Sequence, residues 1–208
     1  AQLPKAKKPT RLAFIESPGW EVTGEETRTV FNQAVKKLVK RGVEVVGRTN
    51  DPELEAYEQD LVVLREMIEV TLAYEYRWPL MMFADRSPKL LGERVFNRAK
   101  AASEITPEDY EKTLNWSAKA KARHEALSKK YDALITLNAT GPAPEGMAVG
   151  DAIYGEQSSQ LGVPTLNAPL LAQNAMPLGI QILGYYRKDF DLIAIGHWLI
   201  HAILREED

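Results

Sequence analysis

The chain has 208 residues, 45% of them hydrophobic and 26% charged, with a net charge of −3 and no cysteine. That length suits one domain, and the composition is that of an ordinary globular protein. Such a charge gives no reason to expect nucleic acid or anionic membrane as a partner, and a chain without cysteine has neither disulfides nor thiolate metal sites.

The basic residues Lys5, Lys7, Lys8 and Arg11 open the chain and read as a solvated arm. Arg11–Glu16 (RLAFIE) reads as a strand and Ser17–Trp20 as a turn. Thr23 and Glu26 have the spacing of a capping box. Val30, Phe31, Ala34, Val35, Leu38 and Val39 then recur at helical intervals, and Gly42 stands where a left-handed C-cap is wanted. Val43–Val46 reads as a second strand. A strand, a helix and a strand in this order predict parallel pairing through a right-handed crossover.

Asp51-Pro52 opens a helix whose apolar set is Leu54, Tyr57, Leu61, Leu64, Ile68 and Leu72. Trp78–Phe83 (WPLMMF) is expected in the core, with the wall of an acyl pocket as the second reading. Asp85–Ser103 has weak periodicity and reads as mobile or poorly packed. Thr106-Pro107 begins a long helix expected to reach Lys130, with His124 on its solvated face. Asp132–Leu137 is the clearest strand. A Gly/Pro-rich loop, Asn138–Gly150, follows it, with further strands at Val163–Asn167 and Leu178–Leu183. Asp189 is placed to cap the last helix, which carries Leu192, Ile195, Trp198, Leu199 and Ile203. The whole reads as a single α/β domain over 1–208, a mixed, mostly parallel sheet covered by helices, with a mainly helical middle at 51–130.

Three segments carry more than pattern: YDALITLNATGPAPEG from Tyr131, GEQSSQLGVPTLNAP from Gly155 and MPLGIQILG from Met176. Their order and spacing resemble the carboxyl-terminal portion of the amidase-signature family, serine hydrolases of carboxylic amides. Arg11–Val46 resembles the strand and helix that follow the catalytic core there. Departures are local: Asn138-Ala139-Thr140 stands where Thr-Pro is common, Ala152 where proline is common, and Ala175-Met176 in place of Gly-Leu. The resemblance implies an amide hydrolase using a Ser–Ser–Lys arrangement and no cofactor. The family's Gly-Gly-Ser-Ser-Gly-Gly-type segment, second serine and lysine are not found in this chain, so no catalytic residue is assigned.

The expectation is therefore the carboxyl-terminal portion of such an enzyme, completing its sheet and one wall of its pocket. Its partners would be the missing amino-terminal half, a small amide substrate and a second copy in a homodimer. The alternative is a non-catalytic binding or assembly module related to amidotransferase subunits. By position in the resemblance, Asn138, Thr140, Tyr154 and Gln157 are expected to face substrate. Gln181, among apolar strand neighbours, reads as a packing and network residue that must find hydrogen-bond partners. Ser158-Ser159 imitates a nucleophile region but lacks the flanking glycines of an oxyanion cradle and a base. His197 and His201, four apart, share a helix face but lack the glutamate and third ligand of a zinc site. No apolar run approaches the ~20 residues of a membrane span. The reducing cytoplasm is the expected location.

Overall fold

The computed structural model describes residues 3–146 and 148–204. Five strands, β1 (Arg11–Phe14), β2 (Glu44–Gly47), β3 (Ala133–Leu137), β4 (Thr165–Gln173) and β5 (Met176–Leu183), form one sheet in the order β2-β1-β3-β5-β4. β1 pairs in parallel with β2 and β3, whereas β5 pairs antiparallel with β3 and β4. The sheet is mixed, with two of four pairings parallel. Seven α-helices complete the described chain: α1 (Gly19–Val22), α2 (Glu25–Lys40), α3 (Pro52–Arg86), α4 (Glu93–Ala102), α5 (Pro107–Leu127), α6 (Ile153–Leu161) and α7 (Asp189–Leu204).

The β1–α2–β2 unit forms as its spacing predicts. Phe31, Ala34 and Leu38 of α2 are buried, and Gly42 takes a φ of +74° after the helix, a conformation that costs glycine little. The expected capping box does not form. Gly24 is the N-cap of α2, and the Thr23 hydroxyl instead donates to the Gly19 carbonyl at 2.7 Å, closing α1.

Adjacent residues of the central strands face opposite helical layers. Leu12, Ile135, Leu137, Ile180 and Ile182 join Phe31 and Leu38 of α2 and Leu192, Ile195 and Leu199 of α7. Ala13, Leu134 and Leu183 join Leu54, Tyr57, Leu61 and Leu64 of α3 and Leu127 of α5. Each fully buried Leu, Ile or Phe contributes about 1.5–3 kcal/mol, so both layers hold the sheet in place. Gly196 lets α7 approach β4, because a Cβ there would run into Leu166.

Asp51 anchors α3 to β3. Its Oδ1 accepts from the Glu53 amide at 2.8 Å and its Oδ2 from the Tyr131 hydroxyl at 2.6 Å, with Lys130 at 3.3 Å. Burial pulls this carboxyl up, but those donors outweigh it and hold it below its ordinary value.

Four expectations are corrected. Trp78–Phe83 is not core: α3 runs on to Arg86, through Pro79, and Trp78 is 79% exposed and Phe83 51%. Those side chains lie beyond the stretch of α3, Leu54 to Ile68, that supplies its large buried apolar residues. His124 is not solvated but fully buried, its Nδ1 2.8 Å from the Tyr57 hydroxyl and its Nε2 2.9 Å from the Gly184 carbonyl. Since a carbonyl only accepts, Nε2 carries the proton and Tyr57 donates to Nδ1; burial holds this imidazole below its ordinary pKa. Asp189 is the first residue of α7 rather than its cap. Asp85–Ser103 contains α4, tied to α3 by Arg98 donating to both carboxylate oxygens of Glu69 at 2.8 and 2.7 Å.

Candidate functional site at the carboxyl ends of the parallel strands

In open α/β sheets, ligands bind beyond the carboxyl ends of the strands. At that end of β1 the chain turns sharply through Ser17, a non-glycine residue at φ +56°. Glu58 of α3 holds the turn. Its two carboxylate oxygens accept from the amides of Glu16 and Ser17 at 3.1 and 3.2 Å, and Arg48 pairs with Glu16 at 2.7 Å. Burial pushes the Glu58 carboxyl up to about 7, against the two backbone donors.

That turn presents α1 to α6. Gly19 is buried directly under the Tyr154 ring, where a Cβ would lie 2.7 Å from ring carbons. The Tyr154 hydroxyl is 2.8 Å from Thr23 Oγ1. Because the Thr23 proton is directed at Gly19, Tyr154 donates and Thr23 accepts. Burial pushes the Tyr154 hydroxyl up to about 12, so it serves as a neutral donor.

Asn138, the residue after β3, is stitched to β5. Its amide donates to the Gly179 carbonyl at 3.3 Å, and its Oδ1 accepts from the Gly179 amide at 3.0 Å. Gly179 is required here, since a Cβ would collide with the Asn138 side chain. Thr140 is half-buried in the following loop. Gln157 is buried on α6 facing Leu61 and Leu64, and neither atom of its amide has a hydrogen-bond partner among the described residues. The neighbouring Glu156 pairs with Arg65 of α3 at 2.6 Å.

The four residues expected at the site therefore stand on the segments that follow β3, with different surroundings. Asn138 closes a strand pair, Thr140 is in the loop, and Tyr154 and Gln157 face inward from α6. The space beside Gln157 is only about 10 Å³. A cleft of about 530 Å³ opens at the opposite, amino end of β1 and β3, between Arg11, Lys129, Asp132 and Lys188. Size alone favours that cleft; the strand direction and the convergence of Ser17, Thr23, Asn138 and Tyr154 favour the carboxyl end.

Glu58, Ser17 and Thr23 were not among the expected site residues. Glu58 left one trace in the sequence: it lies four residues after Leu54 and three before Leu61, an acid inside an apolar helical stripe. Thr27 and Gln173 were also missed; Thr27 donates to the Gln173 side chain at 2.6 Å, joining α2 to the end of β4. Ser158 and Ser159 both direct their hydroxyls at the Gly155 carbonyl of their own helix, at 3.0 and 3.4 Å. The rings of His197 and His201 lie 5.2 Å apart, and no group of three metal-ligating side chains occurs among the described residues. No described helix is long and apolar enough to cross a membrane.

The architecture recurs in solved structures. Over 97% of its length the chain superimposes on an amidase with a TM-score of 0.76 and 21% identity. The fold is an amidase fold. The chain also matches a bacterial aryl acylamidase belonging to the amidase-signature family (TM-score 0.64, 14% identity, 97% of this chain). A third match is the amidase-fold component of the Thermotoga maritima glutamyl-tRNA(Gln) amidotransferase (0.61, 17%, 94%). The chain spans less than half the length of each: 47, 44 and 42% respectively. No family model and no curated protein matches the sequence.

Proposed function

We propose that this chain is the carboxyl-terminal portion of an amide hydrolase, forming part of the sheet and one wall of the substrate pocket without supplying the nucleophile. The observation that carries this reading is the amidase fold over 97% of the chain, set against 47% of the matched amidase. In the complete protein a lysine deprotonates a bridging serine, and the nucleophilic serine attacks the amide carbon. Backbone amides hold the oxyanion, the amine departs, and water cleaves the acyl-enzyme. All of those groups lie in the complementary half. This chain contributes Asn138 and Thr140 beyond β3, and α6, which Tyr154 locks against Gly19 and Thr23.

Fluorophosphonate labelling, read by intact mass, tests the reading. The chain together with its complementary half is expected to label, and the 208-residue chain alone is not. Labelling of the chain itself would overturn the proposal and direct attention to Ser158 and Ser159. Absence of labelling with both halves present would favour the alternative, a non-catalytic assembly module. That alternative is supported by the multi-component organisation of the matched amidotransferase.

A further inference from the structure

Three polar residues form one transverse row across the sheet. Thr136 of β3 pairs with Gln181 of β5, which pairs with Asn167 of β4. Cross-strand partners share a face, so the row runs from the sheet centre to its edge on the layer that holds α3 and α5. Thr136 and Gln181 are 0 and 2% exposed, and Thr136 Oγ1 and Gln181 Oε1 have no hydrogen-bond partner among the described residues. A buried polar atom left unpaired costs about 1–3 kcal/mol, so this row departs from the satisfied packing elsewhere in the sheet. It ends at Asn167, which is exposed. The helices that cover β4, α2 and α7, pack on its other face against Ala168, Leu170 and Leu171.

β4 is also an open edge, nine residues long, whereas the opposite edge, β2, has four. The direction of its amides follows from one bond. The Gly184 amide donates to the Pro164 carbonyl at 2.9 Å. Antiparallel pairs alternate between hydrogen-bonded and non-bonded positions, so Leu166 and Ala168 also bond to β5. The N–H and C=O groups of Thr165 and Asn167 therefore point away from β5. Beyond Ala168 the register shifts at a bulge containing Pro169, which blunts the rest of the edge.

We propose that Thr165–Ala168 is the seam by which the complementary half of the hydrolase joins this chain. A strand of that half pairs with the outward groups of Thr165 and Asn167, and a polar side chain beside it engages the Asn167–Gln181 end of the buried row. This rests on the reading of the chain as one portion of an amide hydrolase. The occupant is argued from length and topology together. More than half of each matched amidase-fold chain lies outside the aligned portion, and an open edge strand with unpaired amides is where a sheet continues.

The test supplies the complementary half as a separate polypeptide. Asn167→Pro removes an outward N–H together with the side chain's polar group, whereas Asn167→Ala removes only the side chain, so both variants should unfold at the same urea concentration. Asn167→Pro is expected to bind the complementary half about tenfold more weakly than Asn167→Ala, the worth of a hydrogen bond at the strong end of the usual range. Hydrogen exchange should show the Thr165 and Asn167 amides protected in the complex and open in the chain alone. Equal binding of the two variants, or open amides in the complex, overturns the seam. So does protection by a homodimer of this chain alone, or a chain encoded with no complementary half. Labelling of such a complex by fluorophosphonate keeps the hydrolase reading while the seam falls. A complex protected at β4 that never labels keeps the seam while the hydrolase reading falls.

Discussion

Glu58 is a carboxyl group whose surroundings conflict. Two backbone amides favour its charged form, and burial in α3 favours the neutral form; burial prevails, raising it from 4.5 to about 7. A carboxyl that binds its proton more tightly when folded stabilises the fold at low pH. That contribution is present below 4.5 and is lost as pH rises toward 7. Urea titrations of the wild-type chain across that pH window should therefore show a fall in stability from this group. Glu58→Gln should flatten that segment of the profile. An unchanged slope in the variant would mean that Glu58 stays charged when buried. The consequence reaches the site, because Glu58 holds the left-handed Ser17 and thus the placement of Gly19 and Thr23 against Tyr154.

Among the elements, the β4–β5 hairpin shows how far local sequence can mislead. The sequence suggests separate strands at Val163–Asn167 and Leu178–Leu183; the structure extends them to Gln173 and Met176, joined by Asn174 and Ala175. Both turn residues have positive φ, +53° and +62°, the geometry that matches strand twist in a two-residue hairpin. Asparagine tolerates it and is a recognisable turn residue; alanine is not, and hides the turn. Holding an L-residue there costs about 1–2 kcal/mol, so Ala175→Gly is expected to stabilise the chain by about 1 kcal/mol. A chain of this size would then melt about 2–4 °C higher, measurable by calorimetry. A lower melting temperature would show that glycine's extra freedom in the unfolded chain outweighs the relieved strain. α2, α3 and α5 were legible because an apolar stripe, a Pro at N1 and polar N-terminal residues act within one or two turns. The capping box at Thr23 failed because a tertiary contact, α1 packing on Tyr154, claimed the hydroxyl first.

Across the molecule, the outer part of α3 and its neighbour α4 expose Trp78, Phe83, Leu90 and Phe96. These side chains contribute little to this fold. Trp78→Ser and Phe83→Ser should each leave the unfolding free energy in urea within about 0.5 kcal/mol of wild type. A loss of several kcal/mol would instead show burial that the exposure of these residues does not suggest.

The composition class, the strongly periodic helices, the parallel β1–α2–β2 unit and the family resemblance of the carboxyl-terminal motifs were all legible along the chain. They depend on neighbours within a few residues, or on the order of short motifs. Folding in three dimensions settled the rest: WPLMMF lies outside the core, His124 is buried between Tyr57 and Gly184, and Glu58 holds the turn after β1. It also set Thr136, Gln181 and Asn167 in one row. Those facts depend on which distant segments meet: residues 42 positions apart at Glu58 and Glu16, and 60 apart at His124 and Gly184. A hydrophobic or polar side chain carries a preference for burial or exposure, while the packing of the strands and helices decides which preferences are met.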